Sequence, residues 1–393
     1  MNLWSQNTPQ HFWMCTLDLP EVVWREATKK AIPILELQAE IVNLDTVLEY
    51  TLGEAKFGSD RWHLSRVKTT YYTIKPFLPR NVINALKNLN SRKATDSFKL
   101  DWPVERRYTQ FQWEVMRQLL QITEESSLTF QNFWLENKRF ALVLTHDIET
   151  SAGQARVREI ADLEEELGFR SLFNFVPERY KVDRDLMVEL RERGFEIGVH
   201  GLKHDGKLFY SKQEFMKRAA LINGYLSEFQ AVGFRAPLMH RNPEWLQELN
   251  VEYDLSFFDT DPYEPMPGGV MSIWPFIVGH FIELPYTLVQ DSTLVNVLGE
   301  STPQLWLDKV RYIEKYSGMA LLNTHPDYLL QPRLKAIYKE FLVEMEHKTN
   351  YWHALPRDVA SWWRSRLSGD GVVDPNQVAA GTVCLVDSSI EIV

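Results

Sequence analysis

The sequence predicts an α/β fold built on a parallel sheet, open or closed into a barrel. Two observations carry that prediction. From residue 139 onward, strand-like apolar runs alternate with amphipathic helical patterns, an order that calls for parallel strands joined by helical crossovers. The first run, Phe140–Thr145, is continuously apolar, as a strand covered on both faces must be.

The elements follow in order. Residues 1–135 mix short apolar patches with polar stretches, and helical patterning is clearest at 80–89 and 103–123. The latter follows Trp102-Pro103, with the proline suited to a first helical turn. Beyond the first strand, Val157, Ile160, Leu163 and Leu167 mark a helix over 154–167, ended by Gly168. A strand at Ser171–Pro177, a helix at 183–193 closed by Gly194 and a strand at Phe195–His200 come next. A helix at 212–229 leads to the strand Val232–Arg235. Tyr253–Phe258, Phe281–Leu288 and Met319–Thr324 are further strands, with helices at 303–316 and 331–347. Thr382–Val386 and Ile390–Val393 flank a turn and predict a short terminal hairpin. The expected organisation is a mainly helical N-terminal extension (1–135), a catalytic domain (136–366) and a C-terminal β tail (367–393).

Composition narrows the function. A chain of 393 residues, 45% hydrophobic and 24% charged, has the balance of a soluble globular protein. Its net charge of −10 argues against nucleic acid as a partner. Cys15 and Cys384 are its two cysteines and make no disulfide framework. The N-terminus lacks the basic start and apolar core of a secretory signal, and no apolar run approaches the ~20 residues of a transmembrane helix. A cytoplasmic enzyme is therefore expected. Within this acidic chain, Arg61–Arg107 holds eleven Lys/Arg against three Asp/Glu, with Tyr71, Tyr72 and Phe77 among them. That stretch reads as a solvated face or as a phosphate-attracting surface for a nucleotide or lipid pyrophosphate, giving peripheral association with lipid-linked sugars.

The chemistry sits at the ends of the predicted strands, which parallel folds gather at one mouth. In Thr145-His146-Asp147-Ile148-Glu149, alternation along a strand puts Asp147 and Glu149 on one face. Adjacent carboxylates repel unless a cation lies between them, and a divalent metal leaves one as ligand and the other as base. Alone, the pair also suits a helix cap. His200 and His204 lie where a strand enters a tight loop marked by Gly198 and Gly201. Imidazoles with a carboxylate suit zinc first, with cobalt or nickel as alternatives, over calcium or magnesium. Arg235, in Arg235-Ala236-Pro237, would hold a carboxylate or neutralise developing charge. His325, late in the chain, has the pKa range of an acid for a leaving amine.

These four motifs, in this order, resemble the polysaccharide deacetylases, carbohydrate esterase family four. Trp274-Pro275, Leu284–Asp291 and Trp352–Arg357 are similar to the branch found beside bacterial surface-polysaccharide genes. The resemblance covers residues 138–366 and implies a distorted (β/α) barrel with one metal ion, removing acetyl groups from sugars. It implies Asp147 as catalytic base, His325 as acid and Arg235 as the residue orienting Asp147. It also implies His200 and His204 as metal ligands. The usual second aspartate of the first motif is Ile148 here, so the third ligand falls to Glu149, as strand parity independently indicates. Pro237 of the third motif, Trp274, Asp259 and Asp261 are expected along the substrate. Asp259 or Asp261 is also expected to partner the catalytic histidine, because Phe234 stands where some members carry that aspartate.

The function expected is metal-dependent hydrolysis of an N-acetyl group on an amino sugar (nucleotide-linked, lipid-linked or oligosaccharide) in polysaccharide biosynthesis. An oxyanion donor is expected among the backbone N–H groups of Ala236–Leu238. The rivals are an allantoinase-like hydrolase of non-sugar C–N bonds, an inactive sugar-binding module and a scaffold protein.

Overall fold

A computed structural model of the chain describes residues 2–37, 43–64, 94–368, 380–386 and 389–392. The expected helix at 80–89 and most of the basic stretch lie outside these residues. Within them, the strands are β1 (Ser127–Gln131), β2 (Phe140–Ile148), β3 (Leu172–Phe175), β4 (Glu196–His200), β5 (Gly233–Arg235) and β6 (Tyr253–Asp254). They continue as β7 (Phe276–Val278), β8 (Phe281–Glu283), β9 (Met319–Thr324), β10 (Tyr351–His353), β11 (Ala380–Val386) and β12 (Ser389–Ile392).

The apolar run at 140 makes the central strand, and all nine residues of β2 are buried. Ala141–His146 pair in parallel with β9, Phe140–Leu142 with β10 and Thr145–Ile148 with β3. Parallel pairing continues from β3 through β4, β5 and β6 to β8. Beyond β8 the chain stays extended: Tyr286 bridges Phe258, and Leu288 bridges Leu322 of β9. That last bridge closes the sheet into a distorted (β/α) barrel. The predicted strand at Phe281–Leu288 thus spans one regular strand and the closing segment, and β7 adds an antiparallel edge to β8.

Helices cover the barrel because their apolar stripes need burial. The helix Val157–Glu166 turns Val157, Ile160, Ala161 and Leu163 inward. It ends in a Schellman turn in which Gly168, at φ +78°, donates to the Glu165 carbonyl and Phe169 to Glu164. Ser211 and Glu214 supply the start of the helix Lys212–Glu228, with the Ser211 side chain accepting from Glu214 N–H. The helix predicted from Pro103 begins instead at Arg107. The intervening turn is organised by Glu105, whose carboxylate accepts from the N–H groups of Asp101 and Arg107.

The N-terminal residues pack into the same core as the barrel. Trp4 contacts Phe257 and Phe276, and the Asn7 amide exchanges two 2.8 Å hydrogen bonds with the Ile277 backbone. The C-terminal hairpin forms as β11 and β12, and β11 also pairs with β1, which the sequence reading missed. Among the described residues no helix is long and apolar enough to cross a membrane.

Candidate metal centre and active site

Parallel strands deliver their C-terminal ends to one mouth of the barrel. β2 brings Asp147, with Glu149 just beyond its end; β4 brings His200, β5 brings Arg235, and His325 follows β9. Glu149, His200 and His204 converge, with one ligand atom from each lying within 4.8 Å of the others.

Local backbone sets these positions. After His200 the chain turns at Gly201, φ +63°, where a Cβ would lie 2.3 Å from Cγ of Pro237. Pro237 therefore packs beneath the histidine loop. His204 itself sits at φ +51°, a left-handed conformation rare for a side-chain-bearing residue and found where a site over-determines it. His200 Nδ1 lies 3.1 Å from the Arg235 carbonyl, which fixes the proton there and leaves Nε2 free to bind. His204 Nε2 is 3.1 Å from Glu149 Oε1. Two nitrogens and one carboxylate oxygen this close together are a donor set that suits a divalent metal ion.

Asp147 lies beside this trio, its Oδ2 3.9 Å from His200 Nε2. Its carboxylate accepts from Arg235 Nη1 at 3.0 Å, Asn174 Nδ2 at 2.9 Å and Asn323 Nδ2 at 2.9 Å. Burial pushes this carboxyl up, but Arg235 and His200 more than reverse it and hold it well below the usual range. Arg235, fully buried, also donates to Thr145 Oγ1 and the Leu255 carbonyl.

His325 Nε2 lies 4.0 Å from Glu149 Oε1. Its partner is neither Asp259 nor Asp261. Asp291 holds it, one oxygen 2.8 Å from Nδ1 and the other accepting from the His325 backbone N–H at 2.8 Å. Burial lowers the imidazole pKa, but Asp291 overcomes this and pushes it up to about 10. Asp259 is engaged by Lys309 Nζ at 2.7 Å, and Asp261 accepts from Tyr286 Oη at 2.8 Å. Trp274 is not at the mouth: it is 0% exposed, stacks on Trp113 and donates its indole N–H to the Ser317 carbonyl. Of the four residues expected along the substrate, Pro237 alone adjoins the metal-ligand loop.

Asn174, Asn323, Asp291 and Asp327 joined the site unannounced. The two asparagines had a signal, since each interrupts an apolar strand near its C-terminal end. Asp291 closes the family-like stretch Leu284–Asp291 but had no role assigned from sequence, and Asp327 had no signal. Of the basic stretch, the described ends are partly committed, with Arg61 pairing Glu49 and Arg107 pairing Glu105.

No protein-family model matches the sequence, and no curated protein matches it. Solved structures similar to it include a probable polysaccharide deacetylase from Pseudomonas aeruginosa PAO1, at 14% identity and TM-score 0.49. That likeness covers 61% of this chain and 94% of the other. Puue allantoinase is similar at 14% identity and TM-score 0.49, over 59% of this chain and 92% of its own. The peptidoglycan deacetylase PdaC from Bacillus subtilis is similar at 13% identity and TM-score 0.40, over 60% and 96%.

Proposed function

We propose that this chain is a metal-dependent hydrolase that removes the N-acetyl group from an amino sugar carried on a nucleotide, a lipid or an oligosaccharide. The observation that carries the proposal is one mouth holding a carboxylate paired with Arg235 and an imidazole paired with Asp291, both beside an N, N, O donor set. A base and an acid with opposite proton states are what amide hydrolysis needs. The amino-sugar substrate rests on the order of the four sequence motifs.

Glu149, His200 and His204 would hold the ion, which when bound supplies Lewis acidity toward an acyl oxygen and a water. Asp147, kept unprotonated by Arg235, takes the proton of the water attacking the acetyl carbon. His325 Nε2 gives a proton to the departing nitrogen, and Asp291 holds the imidazolium ready. Of the backbone donors expected for the oxyanion, Ala236 N–H is spent on Ser256 Oγ and Pro237 has none. Leu238 N–H remains, carried on a residue at φ +59°. Preset donors of this kind stabilise the tetrahedral stage.

The test is acetate release from a panel of acetylated nucleotide sugars, lipid-linked sugars and oligosaccharides, with zinc or cobalt added and ureides as the contrast. The wild type should release acetate, and Asp147→Asn should lose about 10²- to 10⁴-fold in rate. Turnover of ureides with none of the sugars would replace the deacetylase assignment by the allantoinase-like one.

A further inference from the structure

We propose that Asp327 and Tyr180 clamp the peptide that carries Glu149, and so position that ligand and the His325 loop against each other; this rests on the metal-centre reading above. β2 ends at Ile148, so the peptide joining Ile148 to Glu149 lies at the limit of the sheet ladder. Side chains take over its two polar groups. The Ile148 carbonyl accepts from Tyr180 Oη at 2.7 Å, and Glu149 N–H donates to Asp327 Oδ2 at 2.9 Å. One peptide plane is therefore held at both edges. The Tyr180 hydroxyl also accepts from Val176 N–H at 3.3 Å, bridging β2 and the chain leaving β3 just past their last ladder pair.

The far oxygen of Asp327 accepts from the Thr150 hydroxyl. That hydroxyl in turn accepts from Ala152 and Gly153 N–H at 3.2 and 3.3 Å, so the carboxylate anchors the whole turn after Glu149. Its space is made by Gly153, where a Cβ would lie 2.3 Å from Asp327 Oδ2. On its own side, Asp327 follows His325 by two residues. The N–H groups of Tyr328 and Leu329 fold back to the His325 carbonyl at 2.9 and 3.0 Å. One carboxylate thereby ties the segment bearing Glu149 to the turn bearing His325. The clamp answers a weakness of the ligand itself, because glutamate has one more rotatable bond than the aspartate it replaces. With its peptide fixed, backbone motion adds nothing to the freedom that the longer side chain must lose on binding.

The experiment is a zinc titration against a competing chelator, using the full chain as wild type, Asp327→Ala, Asp327→Asn, Tyr180→Phe and Gly153→Ala. Far-UV circular dichroism checks that each is folded. Loss of a hydrogen bond that orients a ligand weakens metal affinity about 10- to 100-fold. Asp327→Ala, Tyr180→Phe and Gly153→Ala should each show a loss of that order. At saturating zinc they should lower kcat with KM little changed. Asp327→Asn keeps one acceptor and should fall between wild type and Asp327→Ala. Should Asp327→Ala fail to fold, Tyr180→Phe and Gly153→Ala decide the matter. Folded variants with wild-type zinc affinity and kcat refute the clamp and leave the metal centre standing. A wild type that takes up no zinc refutes the metal centre and the clamp with it.

Discussion

The proton affinities of Asp147 and His325 are pushed in opposite directions by their neighbours, down for the carboxyl and up for the imidazole. Arg235 and two asparagine amides surround the carboxylate, and Asp291 grips the imidazole from both its ring and its backbone. Asp291→Asn removes the charge that raises the His325 pKa. The imidazolium is then lost at lower pH, so the alkaline limb of the kcat–pH profile should move toward neutral pH. kcat itself should fall at least about tenfold. The same substitution at Asp259 or Asp261 should leave that limb in place. The positions of His200 and Arg235 at strand ends were legible because each follows an apolar run, while Asp147 lies one residue inside the end of β2 and His325 one residue beyond β9. The pairing of Asp291 with His325 was not legible, although Asp291 ends a family-like stretch, since an acid in a loop becomes a partner only when the barrel closes. Trp274 was misread for the converse reason: an indole has the same sequence signature at a sugar site and in a core.

At the scale of elements, β4 and β6 are cross-linked behind the site by Glu196 and Tyr253, 2.6 Å apart through the tyrosine hydroxyl. Glu196 also accepts from Arg357 N–H at 3.2 Å, tying in the helix that starts at Pro356. Burial raises the Glu196 pKa to about 7, partly offset by the Tyr253 and Arg357 bonds. A carboxyl raised in the folded state stabilises below its unfolded pKa, and that stability is lost as pH climbs through the folded value. The urea midpoint of the wild type should therefore drop between about pH 5 and about pH 8, and Glu196→Gln should flatten that decline. The alternation of strand and helix was legible because burial on both faces enforces continuous apolar runs. Strand ends were less so: β6 and β8 shorten to two and three residues where the barrel distorts, although their sequences stay apolar further on.

Across the whole molecule, the N-terminal segment is joined to the barrel through charge as well as aromatic packing. Glu54, 1% exposed, pairs with Arg241, also 1% exposed, and accepts from Gly269 N–H at 2.8 Å. Removing one partner of a buried pair strands the other. Glu54→Ala should cost about 3–5 kcal/mol in urea unfolding, with zinc stoichiometry unchanged in the protein that remains folded. No pattern in the sequence announced this contact, because its two halves lie far apart along the chain and neither belongs to a periodic element. The central claim, that strand ends gather Glu149, His200 and His204 around a single divalent ion, is tested most directly by diffraction at the zinc absorption edge from crystals grown with zinc. The account predicts one anomalous peak bonded to Glu149 and both histidines, beside Asp147. No peak there, or a peak held by other residues, would contradict it.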